Sequence, residues 1–507
     1  MPTRDAQIVV IGSGPNGLVA AAKLATLGLR VLVLDAHPRR PGGAVRSEEL
    51  TLPGFLHDVG AAHFPLAAAS PAFAELDLAA LGVEWLKAEV ESCHLGANDG
   101  HACLTRADAP GSWPLGADAD LATWRHLADS YLRIEQPFIE LALSPAPPWD
   151  ALQRVGLLRS VQLWHLAQSR SSSLSRRWLR SEAARGILPS LAAYLNVAPN
   201  EAWSGGAAYL FAMTALTTGL LVPRGGAQSI TNALVTLIER HGGRIRLGSR
   251  VVRLLVRQGH ALGVELQDGS EVAATRGVLV ATTASSLFQD LCERKLLPAR
   301  YLRRLHPETR SVGLYKVDWA LAGTVPWRIA AARHSAMVFT NSSREAIVRA
   351  TRQARSGRLP ESPCLVLSQA SVADPGRAPH SRHTLSGSLR VPLWDAGQWE
   401  QLREALADRT EEHIETLAPG FRRLVLARSV ATPSDQHRLG DAVVGHLDAT
   451  LVHNWRRRLP SRWLAPHSEY RTPIRGLYVG SSATHPGPGV HGMCGYNAAR
   501  TMVRDLT

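Results

Sequence analysis

The stretch QIVVIGSGPNGLVAAAKLATLGLRVLVLD, Gln7 to Asp35, decides how the chain folds. Gln7 to Ile11 is a short apolar strand, and the loop Gly12-Ser13-Gly14-Pro15-Asn16-Gly17 follows at once. The alanine-rich run from Leu18 to Leu27 has helical character, and after Gly28 the run from Arg30 to Asp35 returns as a strand apolar on both faces. A strand hydrophobic on both faces belongs inside a parallel sheet covered by helices. Gly12 permits the tight turn, Gly14 lets the backbone approach a pyrophosphate, and Gly17 lets the helix pack close to the strand. The helix N-terminus then faces the phosphates. Pro15 and Asn16 complete the loop as candidate cofactor contacts. Asp35 stands 18 residues past Gly17, where an acid accepts hydrogen bonds from the adenosine ribose. An acid there argues against a 2′-phosphate, which leaves NAD or FAD.

A second GxGxxG lies far away, in THPGPGVHGMCGYNAAR, Thr484 to Arg500, with Gly487, Gly489 and Gly492. Only 15 residues follow Gly492, short of the roughly 30 that a βαβ nucleotide unit needs. Gly476 to Gly480 reads as a short strand and Met493 to Val503 as a helix, with Tyr496, Ala499 and Val503 on one face. The expectation is one dinucleotide gripped by two glycine loops.

Composition narrows the setting. Formal charge is +13, and only four of the 56 basic side chains are lysines, Lys23, Lys87, Lys295 and Lys316. A GC-rich genome explains such an arginine excess; attraction to an anionic surface is the functional reading. Two clusters, Arg176 to Arg180 and Trp455 to Leu459, set tryptophan and leucine beside arginine, which suits a membrane interface better than a nucleic-acid groove. No nucleic-acid module is recognisable, and no nucleic-acid partner is expected. Five scattered cysteines without a CxxC suit a reducing compartment and no metal site. After MPTRDA the chain enters a strand directly, without a basic-then-apolar leader, so the expectation is a cytoplasmic protein, peripheral at the inner membrane face. The uncharged run Ala207 to Val222 contains three threonines and reads as a buried helix near a ligand rather than a membrane span.

Further glycine turns follow in order: RRPGGAVRS at 39–47, GFLHDVGAAHF at 54–64 and LLVPRGGAQSITNAL at 220–234. Residues 242–284 then read as strands and hairpins turning at Arg257-Gln258-Gly259 and Asp268-Gly269. This ordered set resembles the FAD-dependent oxidoreductases of the phytoene (carotenoid) desaturase type, within the amine-oxidase-like flavoproteins. The resemblance implies noncovalent FAD, with Gly42, Gly43 and Arg46 along the pyrophosphate and Val251 or Val252 on the adenine side. It implies that the second glycine loop, with Gly480, Ser481, Gly489 and Val490, meets the pyrimidine edge of the flavin ring. A helix N-terminus there favours the negative charge of reduced flavin. The implied fold is α/β: a discontinuous Rossmann-type FAD-binding domain (1–105, 220–300 and 466–507) with a second α+β substrate domain of mixed sheet plus helices (106–219 and 301–465).

The implied chemistry is hydride exchange with a carbon of a long, lipophilic, unsaturated substrate: desaturation, isomerisation or reductive cyclisation of a polyene or isoprenoid. Amine or amino-acid oxidation is the runner-up. A non-enzymatic lipid carrier like the Rab GDP-dissociation inhibitors is the alternative of another class, and the intact Gly12/Gly14/Gly17 loop with Asp35 argues against it. His63, His485 and His491 are the catalytic candidates, because each lies in a loop expected at the ring. Lys316 has Asp318 two residues on, on the same side of a strand, and reads as a structural ion pair. Leu157, Val161 and Trp164 repeat at helical spacing, and their stripe is expected to face the core rather than a membrane.

Overall fold

The computed structural model of the chain describes residues 6–96, 100–106, 108, 118–145, 149–283, 286–302, 312–438 and 470–507. Its strands in chain order are β1 (Ala6–Ile11), β2 (Val31–Leu34), β3 (Ser47–Glu48), β4 (His57–Asp58), β5 (Trp85–Leu86), β6 (Val90–Leu95), β7 (His101–Leu104), β8 (Val222–Pro223) and β9 (Arg244–Arg246). They continue as β10 (Val251–Arg257), β11 (His260–Leu266), β12 (Glu271–Val280), β13 (Gly313–Leu321), β14 (Ser335–Phe339), β15 (Val366–Ser368), β16 (His383–Val391), β17 (Val425–Ala431) and β18 (Leu477–Val479).

The first sheet runs β10-β11-β12-β1-β2-β9, with β18 beside the end of β12. β1 lies between β2 and β12, parallel to both, and β18 is parallel to β12. Alternation explains why β1 is apolar throughout. Ile8 and Val10 enter a core shared with the helices Pro15–Thr26, Gln228–Arg240 and Met493–Leu506. Val9 and Ile11 enter the opposite core with Leu254, Val264 and Leu287. Three separated stretches of chain thus build one sheet.

The second sheet runs β17-β13-β16-β15-β14-β6-β7, antiparallel except for β14 against β6. Tyr315, Val317, Trp319 and Leu321 of β13 face a core with Trp399 and Ile414 of the helix Ala396–Leu417. The other face carries Leu314, Lys316 and Asp318, paired across the ladder with Arg390, Ser388 and Ser386. Helices Ile187–Tyr194 and Ser204–Thr217 pack over Met337 and Phe339 on this side.

Three expectations are corrected. β6 and β7 fall inside residues 1–105 yet join the second sheet, because β6 pairs with β14 some 240 residues on. The helix Leu157–Gln168 buries none of its residues: Leu157 and Leu158 are 80% and 81% exposed, Val161 48% and Trp164 41%. Its half-buried Leu163, Leu166 and Ala167 supply the inward side, so the Leu157/Val161/Trp164 stripe faces solvent and not the core. In the Arg176–Arg180 cluster, Leu179 is buried and Trp178 packs inward, leaving only the arginines exposed. The Trp455–Leu459 cluster lies outside the described residues. Of the 207–222 run, residues up to Thr217 form a largely buried helix as expected, while Val222 opens β8; no described helix is long and apolar enough to cross a membrane.

Candidate active site

The first glycine loop has the shape its sequence demands. Gly12 has φ +95°, and a side chain at Gly17 would strike the Gly12 carbonyl. A Cβ built on Gly14 meets nothing within 4 Å, so open space lies over the helix start. The second glycine turn closes onto the first: Gly42 N–H donates to the Ser13 carbonyl at 3.0 Å, and a Cβ on Gly43 would lie 3.1 Å from Gly14 Cα. Asp35 accepts from the Ser13 N–H at 2.6 Å and from its hydroxyl at 2.5 Å, fixing the loop at the end of β2. Arg46 is buried and pairs with Glu48 at 3.2 Å, which brings a cation to the turn.

Two buried polar atoms beside this loop, Asn16 Oδ1 and Thr282 Oγ1, have no hydrogen-bond partner. Buried polar atoms are nearly always satisfied, so this pair, together with the open space over Gly14, fits a polar ligand laid across the helix N-terminus. On the adenosine side, Ser249 N–H donates to the Asp35 carbonyl at 2.7 Å. Val251, two residues on, is buried, while Val252 is 37% exposed.

The second loop starts where β18 ends. Gly480 N–H donates to Val280 at 2.9 Å, and the buried Ser481 accepts from Thr484. Gly487, Gly489 and Gly492 have φ of +104°, +134° and +67°, and Gly489 lies exposed beside the half-buried Val490. The two helix starts then touch backbone to backbone: a Cβ on Gly495 would overlap the Asn16 carbonyl, and one on Gly492 would lie 2.6 Å from Val19 Cγ2. The starts of the first and last helices therefore lie directly against each other.

The three candidate histidines sit in loops that meet. Ser70 Oγ donates to the His491 carbonyl at 2.5 Å, and Leu66 Cδ1 stands 3.5 Å from the Cβ position of Gly489. His491 is buried, and its Nδ1 accepts the Met493 N–H at 3.0 Å, an arrangement that holds the helix start. His485 is buried, and its carbonyl accepts from the Tyr470 hydroxyl at 2.8 Å. His63 reaches the second sheet, its Nε2 2.8 Å from Ser368 Oγ. Burial lowers the pKa of both His63 and His491 to about 4, so both rings are neutral at pH 7. Tyr496 belongs to the core, hydrogen-bonded to Glu75, and burial pushes its hydroxyl up to about 12.

Lys316 and Asp318 form the direct pair that their spacing predicts, both buried. Ser386 donates to Asp318, and His57 Nδ1 lies 3.7 Å from it. His57, held neutral by burial with its pKa lowered to about 4, was invisible as a site residue from sequence. So were Ser368, Asp58, Asp374 and Arg377. Arg377 pairs with Asp58 and Asp374 and donates to the Pro223 carbonyl at 3.2 Å; Asp58 also accepts the Ala227 N–H at 2.9 Å. This network locks the 54–64 loop and the 223–227 turn to the connection between β15 and β16. Thr282 did have a signal: it follows the C-terminal end of a parallel strand, where ligands bind in open α/β sheets.

Comparisons with known proteins agree with this geometry. The chain is 27% identical to the pyridine nucleotide-disulfide oxidoreductase domain-containing protein 2 of Rattus norvegicus, over 100% of this chain and 94% of that protein. It is 27% identical to the hydroxyneurosporene desaturase of Rubrivivax gelatinosus, again over 100% and 94%. In fold it resembles an oxidoreductase from Methanosarcina mazei, with a TM-score of 0.64 at 16% identity, covering 98% of this chain and 99% of that one. The profile of the family described as flavin containing amine oxidoreductase matches residues 16–503, from the first turn of the first helix through the second glycine loop and most of the last helix. The cofactor is therefore FAD, the chain is an FAD-dependent oxidoreductase rather than a carrier, and it belongs to the flavin-containing amine oxidoreductases.

Proposed function

We propose that this enzyme exchanges hydride with a carbon of a long, lipophilic, unsaturated substrate, a polyene or isoprenoid. The observation that carries the reading is a small, partly open cleft between the second sheet and its helices. Leu314, Phe339, Ile347 and Val366 give it an apolar wall. The same sheet face continues to Ser368 and His63, at the loops around the cofactor cradle. FAD, when bound, supplies the hydride chemistry at its ring. The protein's part is to exclude water, to align the chain along the sheet and to offer neutral His63 as a proton acceptor. The desaturase among the relatives supports the same substrate class. Anaerobic mixing tests it: acyclic polyenes should bleach the flavin and simple amines should not. Rapid bleaching by amines alone would refute it.

A bilayer contact belongs to the same proposal. Leu157, Leu158, Val161 and Trp164 project from one helix, with Arg159, Arg176, Arg177 and Arg180 exposed on the same stretch of chain. Taking the two leucines out of water is worth roughly 3–5 kcal/mol, and arginines nearby favour anionic headgroups. Five free thiols suit a cytoplasmic enzyme peripheral at the inner membrane face. Sedimentation with anionic vesicles should fall when Leu157 and Leu158 are changed to glutamate; unchanged sedimentation would remove this part.

A further inference from the structure

The cavity is not uniformly apolar. At one end stands Arg390 on β16, half-buried, its guanidinium donating to the Tyr194 carbonyl at 2.6 Å. No carboxylate among the described residues lies within ion-pair reach of it. Desolvation lowers its pKa to about 10, the direction expected of a guanidinium removed from water with no counter-charge. Buried cations are ordinarily paired. The buried arginines Arg377 and Arg106 obey that rule: Arg377 holds two aspartates and Arg106 holds Glu91. Arg390, half-buried, has no such partner among the described residues and lines the cavity.

The register gives the geometry of what fits. Arg390, Ser388 and Ser386 follow one another on one face of β16. Val366 and Phe339 extend the Ser388 row, and Ser368, with His63 attached, extends the Ser386 row. From Arg390 to the His63 row is four residues of strand, about 14 Å. A guanidinium offers a planar fork that matches a carboxylate two bonds at a time. We propose that the substrate is an amphiphile, a long unsaturated chain ending in a carboxylate, whose head pairs with Arg390 while its chain runs along the sheet face toward His63 and Ser368. This rests on the polyene reading above and narrows it from a hydrocarbon to an acid.

The test is a binding measurement on the FAD-loaded enzyme, independent of turnover. cis-Parinaric acid, a fluorescent polyenoic acid, and its methyl ester differ only in the charge of the head. The acid should bind roughly 10- to 100-fold tighter than the ester, the gain from a charge-assisted pair out of water. Arg390→Met should bring the acid down to the ester's affinity and leave the ester unchanged, and Arg390→Lys should keep part of the preference. Equal affinity for acid and ester in the wild type overturns the proposal without any variant. So does failure of both probes to bind, or a preference that survives in Arg390→Met. Farnesyl diphosphate carries more charge than one guanidinium can match; if it displaces parinaric acid better than oleic acid does, the carboxylate assignment falls. Flavin bleaching by neutral polyenes together with no acid preference would remove this inference and keep the polyene reading. Arg390-dependent acid binding without bleaching by any polyene would do the reverse.

Discussion

Replacing Gly495 by alanine adds one methyl group where the last helix lies on the first. That methyl would overlap the Asn16 carbonyl oxygen, and it would stand 2.6 Å from the carbonyl carbon and 3.0 Å from Cα. Carbon–carbon contacts settle at about 3.5–4.0 Å, so the helices must part by roughly 1 Å. The obstacle is backbone and cannot swing aside, which puts the cost near the upper end of the ~1–3 kcal/mol typical of overpacking. Alanine returns about 1 kcal/mol of helix propensity, leaving a net loss of about 2 kcal/mol. The functional loss should be larger than the stability loss. On the expectation that both helix N-termini meet the cofactor, a misplacement of about 1 Å costs on the order of 100-fold in rate. Visible flavin absorbance per chain, the thermal midpoint and the rate of anaerobic flavin reduction read the three effects. Gly397→Ala, on an exposed helix start where the nearest atom is Asp395 Oδ1 at 3.3 Å, is the control and should match the wild type. If Gly495→Ala keeps its FAD, its melting temperature and its reduction rate, the two helix starts do not share a site.

Gly489→Val places a branched side chain at φ +134°, 3.1 Å from His491 Cδ2, and should release FAD or abolish turnover at a cost of about 1 kcal/mol or more, measured as flavin content against an unchanged circular dichroism spectrum. Arg377→Met leaves Asp58 and Asp374 buried without their cation, and chemical unfolding should show a loss of about 3–5 kcal/mol with weakened FAD retention. His57, His63 and His491 each have a folded pKa of about 4 against 6.5 in the unfolded chain, so the unfolded state takes up protons that the native state refuses. Their stability contribution is complete above pH 6.5 and is lost as pH falls toward 4, roughly 3 kcal/mol per ring. Melting temperature followed from neutral pH down to about 4 should fall steeply, and His63→Gln should flatten the slope.

What could be read from the sequence was local. The β1 strand, the loop of Gly12 to Gly17, the first helix, β2 and Asp35 lie within 30 residues and declare themselves by period and glycine spacing. The β10-β11-β12 meander does so by its turns, and the last strand, loop and helix by a second set of glycines. The second sheet gave no such signal, because its order depends on pairings such as β6 with β14 that no short window contains. The same distance hid the partners of the site: His63 meets Ser368 and Asp58 meets Arg377 across more than 300 residues. The Leu157–Gln168 helix failed for another reason. Its periodic stripe marks an apolar face correctly, but periodicity cannot say whether that face meets the protein or its surroundings.

The contact between Asn16 and Gly495 also sets a timetable for synthesis. These residues are 479 positions apart, so a ribosome working at roughly 5–20 residues per second needs about 25–95 s between them. Throughout that interval the nascent first helix has its glycine loop formed but lacks the neighbour that covers Asn16 and Val19. β12 likewise waits for β18. On the expectation that both glycine loops hold the cofactor, it is gripped at one end early and enclosed only once Gly495 has been made, so flavin supply and chaperone protection of that apolar flank should govern the yield of active enzyme.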